Sequence, residues 1–269
     1  MKKIFILISL LLIVWTVFIE PNMLSVTNLN IKMPGVKGLK VVFVADFHIK
    51  PNQKKRLINI VKKIDAQKPD LILSAGDFVS GHYPIQSLSI DEIAKELSVL
   101  KPKYGFYAVL GNHDWWQGGE RIEKALEKNG IIVLANENKV VDIKGEKLYI
   151  AGVEDLTTRN IDLVAALKNI QQPSILLTHS PDVFPLVTKK SDSKITGKLD
   201  LTLAGHTHGG QVQVPFYGPL VVPSDYDNKY AQGLIKENGK TMFVTKGIGT
   251  SILPIRFNCV PEIVVINFI

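Results

Sequence analysis

Cysteine is all but missing: Cys259 is the one thiol in 269 residues. That excludes an intrachain disulfide framework and any cysteine-rich metal site. The chain also lacks an internal repeat, a low-complexity tract and any composition shift that would mark a second domain. Its positive charge is not concentrated. Lys and Arg number 32 against 25 Asp and Glu, a net +7, yet the lysines are scattered through most of the chain. Nucleic-acid binders more often gather them on one element, so no specific nucleic-acid partner is expected. Diffuse positive charge suits acidic substrates or an anionic lipid surface.

The longest hydrophobic run is at the amino terminus. Lys2 and Lys3 precede an uncharged stretch from Ile4 to Ile19, with Trp15 near its far end, and Glu20 and Pro21 close it. A spanning helix takes roughly 20 apolar residues and a signal-peptide core about 7 to 15, so the run falls between the two templates. No small-x-small cleavage site follows. Residues 1–22 are therefore expected to be an uncleaved membrane anchor, with a cleaved signal and a buried helix as alternatives. Residues 23–269 are expected to form one catalytic domain, because 46% hydrophobic residues suffice for a substantial core. The two leading lysines favour an internal amino terminus and an exported domain, whereas Lys32, Lys37 and Lys40 weigh the other way.

Beyond the anchor, short apolar runs alternate with amphipathic stretches, the pattern of a sheet covered by helices. Strands are expected at Lys40 to Ala45, Leu71 to Leu73, Gly105 to Leu110, Ile131 to Leu134, Ser174 to Thr178 and Leu201 to Ala204. Leu57, Ile60, Val61 and Ile64 have helical spacing. Ser89 and Glu92 form a capping box for a second helix. Glu120 to Lys128 reads as a third, stopped by Asn129-Gly130, and Asn160 is expected to cap a fourth running to Ile170. Val140 to Ile143 and Leu148 to Ala151 flank a hairpin turn at Lys144-Gly145-Glu146. The last sixty or so residues contain no convincing helix.

Five apolar runs end in residue types that bind metals: at Asp46, at Asp77, at Asn112 to Asp114, at His179 and at His206. In open α/β sheets ligands collect at the carboxyl ends of strands, so these tips should converge on one crevice. Of the six histidines, five (His48, His113, His179, His206, His208) stand at or just after such ends, and His82 is the exception. A lone histidine is more often structural, but five equivalent placements are hard to obtain by chance. Oxygen donors mixed with imidazoles suit Mn, Fe or Zn. Asp46-x-His48 and His206-x-His208, taken as extended, would each place two ligands on one side. Asp77 is the natural carboxylate to bridge two ions, which stabilise the attacking and leaving oxygens of a phosphoryl transfer. Gly76, Gly105, Gly111, Gly205, Gly209 and Gly210 lie near these motifs, as close-approach points or as plain turns.

The series D-F-H, G-D, G-N-H-D, T-H-S and G-H-T-H-G-G, over residues 46 to 210, resembles the calcineurin-like metallophosphoesterases. The resemblance implies a four-layer αββα sandwich and a dinuclear centre of two divalent ions, manganese favoured, with iron or zinc possible. Asp46, His48, Asp77 and His208 would hold one ion; Asp77, Asn112, His179 and His206 would hold the other. His113 would donate a proton to the leaving oxygen or stabilise charge on phosphate, with Asp114 holding its ring. The tail segments Y-G-P-L-V-V-P-S-D-Y, K-G-I-G-T and P-I-R-F-N-C-V-P-E-I resemble the bacterial membrane-anchored branch, which includes phosphodiesterases and UDP-2,3-diacylglucosamine pyrophosphatases. The implied substrate is a phosphorylated small molecule or lipid of the envelope.

Other residues carry two readings each. Trp115 and Trp116 could stack on substrate or pack under their loop. Arg256 and Lys246 could touch phosphate or lie in solvent. Cys259 reads as a core residue, and Glu154 and Asp155 as supports outside the ligand set. Two functions compete with a lipid-directed phosphoesterase: a nucleotidase or nuclease acting on soluble substrates, and a metal-bound scaffold without catalysis. The full ligand set disfavours the scaffold.

Overall fold

A computed structural model describes residues 1–81, 87–189 and 198–269; His82 lies outside the described residues. The chain opens with α1 (Lys2–Val14), which continues through a π turn at Trp15–Ile19 and a 3-10 turn at Glu20–Asn22. It then runs β1 (Ser25–Ile31), β2 (Lys40–Val44), α2 (Lys54–Asp65), β3 (Leu71–Ser74), α3 (Ile90–Leu97) and β4 (Phe106–Ala108). Next come α4 (Asn112–Trp116), α5 (Gly119–Lys128), β5 (Ile131–Val133), β6 (Glu137–Ile143), β7 (Glu146–Gly152), α6 (Leu163–Ala166), β8 (Ser174–Thr178) and α7 (Phe184–Thr188). The remainder is strand and loop: β9 (Leu201–Ala204), β10 (Gln213–Val214), β11 (Gly218–Pro219), β12 (Gly233–Glu237), β13 (Lys240–Val244) and β14 (Glu262–Phe268).

Two six-stranded sheets, ordered β1-β14-β2-β3-β4-β5 and β12-β13-β9-β8-β7-β6, form the inner layers. Strand periodicity explains how they stack. Val41 and Phe43 of β2, Leu71 and Leu73 of β3, and Val264 and Ile266 of β14 point between the sheets, where they meet Ile175, Leu177, Leu201 and Leu203 of the second sheet. The alternate residues Val42, Val44, Ile72, Ile263 and Val265 face outward onto α2, α3 and α5. On the far side, Leu176 and Ala204 meet α6 and α7 through Ala166, Phe184 and Val187. The four-layer αββα sandwich expected from the motif resemblance is the architecture of the described residues, and one apolar helix precedes it.

Most elements fall where the sequence places them. Ser89 caps the second helix, its Oγ accepting the Glu92 N–H at 3.3 Å, but the Glu92 carboxylate takes the Ser89 hydroxyl at 3.0 Å and not the Ser89 backbone N–H, so only half of the expected capping box forms. The hairpin turn is two residues, Lys144 and Gly145, both at positive φ (58° and 94°), as a tight turn matched to strand twist requires. The helix expected from Asn160 to Ile170 is only Leu163–Ala166. Asp162, not Asn160, caps it by accepting the Ala165 N–H at 2.9 Å. Asn160 is held elsewhere, its carbonyl accepting from Asn136 Nδ2 at 2.9 Å. Strand β1 and helix α4 have no counterpart in the sequence reading. β1 mixes polar and apolar residues because it is an edge strand, paired only with β14; α4 is too short to show a period.

Leu177 has no exposed surface and sits between the sheets. Leu177→Ala is expected to destabilise the domain by about 2–5 kcal/mol, read from chemical denaturation in detergent.

Candidate metal centre

The residues that end the parallel strands do converge. Past β2 the chain carries Asp46 and His48; past β3, Asp77; past β4, Asn112 and His113; past β8, His179; past β9, His206 and His208. The expected extended geometry is not how they are aimed. Asp46 (φ 55°), His48 (43°), Asp77 (56°), His206 (72°) and His208 (52°) all lie in the left-handed region, so each strand end turns sharply to bring its side chain inward. Conformations of this kind cost roughly 1–3 kcal/mol each and survive where the surroundings over-determine them. Five of the seven residues expected to hold metal adopt one.

Asp77 stands in the middle. Its Oδ1 accepts the His113 backbone N–H at 2.9 Å. Its Oδ2 lies 3.4 Å from His48 Nε2 on one side and 3.3 Å from His179 Nε2 on the other. Around the first imidazole, His48 Nε2 approaches His208 Nε2 at 3.0 Å, and Asp46, His48 and His208 offer donor atoms close enough to share one ion. Around the second, His179 Nε2 lies 2.9 Å from Asn112 Oδ1 and 3.0 Å from His206 Nδ1. His179 Nδ1 donates to the Ala75 carbonyl at 2.7 Å. That bond leaves Nε2 as the atom facing three further donor atoms, a position that a metal ion or a proton can fill. Asp46 is steadied by the His206 backbone N–H, 3.1 Å from each carboxylate oxygen.

Electrostatics agree with a cation site. Burial lowers His48 to about 3 and His206 to about 4, and it pushes His208 well below the usual imidazole range. All three are neutral, the form that ligates metal. Burial raises Asp46 to about 7 against the pull of His179. Burial also pulls His179 down, but the facing Asp77 carboxylate outweighs it, so His179 stands at about 10. Asp77 is correspondingly held below the ordinary carboxylate range by His179 despite its burial. Without metal, a proton on His179 supplies the positive charge that this carboxylate requires.

Asp114 does not hold the His113 ring as the resemblance implies. Its carboxylate takes backbone N–H groups instead: Asp77 at 2.8 Å, Phe78 at 2.9 Å, Val79 at 3.2 Å and Gly111 at 3.1 Å. It therefore shapes the Asp77 loop. His113 Nδ1 accepts the Gly81 N–H at 2.9 Å, and its Nε2 lies 3.3 Å from Ser251 Oγ. Ser251 was not foreseen; its only signal was its place just after the K-G-I-G-T segment.

Arg256 fits neither of its two sequence readings. It is 0% exposed, and its guanidinium is spent on the carbonyls of Gly249, Lys246 and Cys259, with Nη2 3.3 Å from His208 Nδ1. Lys246 pairs with Glu262 at 3.3 Å. Trp115 packs under its loop and carries Arg159 over its ring at 4.3 Å. Trp116 is half exposed, with its ring 4.8 Å from that of His113. Cys259 is buried, as expected. Buried Asp155 accepts from Thr157 and Thr158, and Glu154 pairs with Arg159. Gly105 precedes β4, at the opposite end of the sheet from the centre.

A fold of this kind, with this crevice, defines a class. Residues 39–210 match the family model described as calcineurin-like phosphoesterase, and the chain belongs to that family. It is 32% identical over 257 residues to YkuE, an uncharacterized metallophosphoesterase of Bacillus subtilis (strain 168), covering 92% of this chain and 86% of that protein. It is 31% identical over 235 residues to the phosphodiesterase YaeI of Escherichia coli (strain K12), covering 86% and 82%. Among solved structures, a 5'-nucleotidase precursor from Thermus thermophilus aligns with a TM-score of 0.47 at 17% identity, over 78% of this chain and 49% of that one.

Two outcomes follow from the geometry. A Cβ added at Gly111 would sit 2.2 Å from Asp77 Oδ1 and 2.6 Å from the His179 ring, so Gly111→Ala should abolish high-affinity manganese binding, as measured by calorimetry. Because a cation must displace the proton from His179, whose pKa is about 10, metal affinity should climb as pH rises from 6 to 9. The expected gain is about tenfold per unit for each proton displaced, with proton release seen as a buffer-dependent heat.

Proposed function

We propose that this protein is a dinuclear, metal-dependent phosphohydrolase that cleaves a phosphodiester or pyrophosphate bond in a lipid-linked or cell-envelope substrate. A UDP-2,3-diacylglucosamine-type molecule is the candidate. The observation that carries the proposal is the placement of Asp77 Oδ2 between two imidazole clusters, 3.4 Å from His48 and 3.3 Å from His179. Asp46, His48, Asp77 and His208 would hold one divalent ion, manganese by preference. Asp77, Asn112, His179 and His206 would hold the second. When bound, such ions lower the pKa of water and neutralise charge on phosphoryl oxygens.

The chain's own groups do the rest. With Nδ1 accepting from Gly81, the neutral His113 ring carries its proton on Nε2, the atom beside Ser251 Oγ. That Nε2–H is placed to hydrogen-bond the oxygen leaving phosphorus and stabilise the charge developing there, while Ser251 Oγ, 3.3 Å away, holds the ring in position. Asp114 keeps the Asp77 loop in place through its bonds to the N–H groups of Asp77, Phe78 and Val79. The lipid side of the proposal is supported by the helix at Lys2–Asn22, which contains an 18-residue stretch of mean hydropathy 2.5, 11% of it buried. It serves as a single-pass anchor in the cell membrane, with the catalytic domain on the extracytoplasmic side. YaeI, a relative named as a phosphodiesterase, supports the choice of bond.

His113→Ala should lower kcat for manganese-stimulated cleavage of bis-p-nitrophenyl phosphate by about 10²- to 10³-fold, with metal content unchanged. Asp77→Ala should remove both metal and activity. Wild-type rates in either variant overturn the proposal, and a substrate panel of UDP-linked diacyl sugar, phospholipids and nucleotides decides the substrate.

A further inference from the structure

Exposed apolar side chains gather on the loops that lead away from the metal centre. The turn between β10 and β11 puts Phe216 and Tyr217 in solvent, with Leu220 and Val221 exposed just beyond. Ile252 and Leu253, next to Ser251, are exposed as well. These residues are distant in sequence but share one support. Gln213 N–H donates to the Phe257 carbonyl at 2.8 Å, and Phe257 N–H donates to the Gln211 carbonyl at 2.9 Å. The Gln211 side chain clasps Ser251 from both sides, donating to its carbonyl at 2.9 Å and accepting its N–H at 2.7 Å.

The same support is bonded to the end of the apolar helix. Arg256 N–H donates to the Thr16 carbonyl at 2.9 Å, and Cys259 N–H donates to Glu20 Oε1 at 2.6 Å. Glu20 also takes the indole N–H of Trp15 at 2.8 Å. Thr16 and Trp15 stand near the end of the uncharged run, the level at which a spanning helix passes from hydrocarbon to headgroups and where tryptophan is enriched. Backbone bonded at Thr16 is held at that level too.

Single exposed apolar residues are ordinary, but a group of them continuous with an apolar helix marks an interaction surface. We propose that the 216–221 hairpin and the Ile252–Leu253 loop form a second membrane contact, dipping into the same leaflet that holds the helix and seating the metal centre at the bilayer surface. The proposal rests on the anchor reading above. It makes the partner of these loops a lipid surface, with side chains reaching about 5–10 Å into the headgroup boundary. A phosphate carried on a lipid would then meet the centre without its acyl chains leaving the leaflet.

The test uses the full chain in phospholipid vesicles, without substrate. Single cysteines replace Phe216, Ile252, Leu12 and Lys144 in turn and are labelled with an environment-sensitive fluorophore, while buried Cys259 stays in place. Lys144 lies on the hairpin turn at the opposite end of the sheets. Blue-shifted emission that is lost to quencher-bearing lipid at positions 216, 252 and 12, but not at 144, is the expected result. Labels at 216 and 252 that behave like the one at 144 while the label at 12 is quenched overturn the second contact and leave the anchor standing. An unquenched label at 12 overturns the anchor and the contact together. Because no substrate is present, an error in the assignment of the lipid-linked substrate would appear only in the activity panel.

Discussion

Everything at the centre depends on where one carboxylate is held. Asp77 is fully buried, and an ionised carboxylate in that position is tolerated only when it is compensated. Both of its oxygens are engaged, one by the His113 N–H and the other by the imidazoles of His48 and His179. The loop that carries it is fixed by a second buried carboxylate, Asp114, through three backbone bonds. The negative charge thus calls for a cation, and the neutral imidazoles of His48, His206 and His208 are kept ready to bind one.

The sandwich supplies the rigidity for this. Parallel strands from two sheets end at the same level, and their tips leave the sheet through left-handed residues that only a packed interior can hold. Close approach does the remaining work. At Gly111 no side chain fits between backbone and Asp77, and Gly76 approaches the Gly111 nitrogen so closely that a Cβ would lie 2.4 Å from it.

Much of this was legible in the sequence, for identifiable reasons. Buried parallel strands read as unbroken apolar runs, so β2, β3, β8 and β9 announced themselves, and the ligand types followed directly from their ends. The identity of the converging residues was therefore readable, but their conformation was not: D-x-H looked extended and is instead turned at both ends. Roles that depend on which atom faces which neighbour were also hidden. Asp114 was expected to serve a ring and serves a loop. Arg256 looked like a phosphate or surface group and is a buried clamp on carbonyl oxygens, because nothing in composition says which cation lies inside. Edge strand β1 was missed because an edge need not be apolar.

The pairing of β1 with β14 sets a condition on how the molecule is made. The first strand after the helix lies parallel to β14, with Ser25 opposite Glu262 and Ile31 opposite Phe268. That partner emerges from the ribosome more than two hundred residues later, so β1 waits unpaired through most of synthesis. Closure of the sheet also positions Glu262, which takes the Thr27 hydroxyl at 2.5 Å and the Thr245 hydroxyl at 3.1 Å. The domain thus finishes folding beside its helix only once β14 has been delivered.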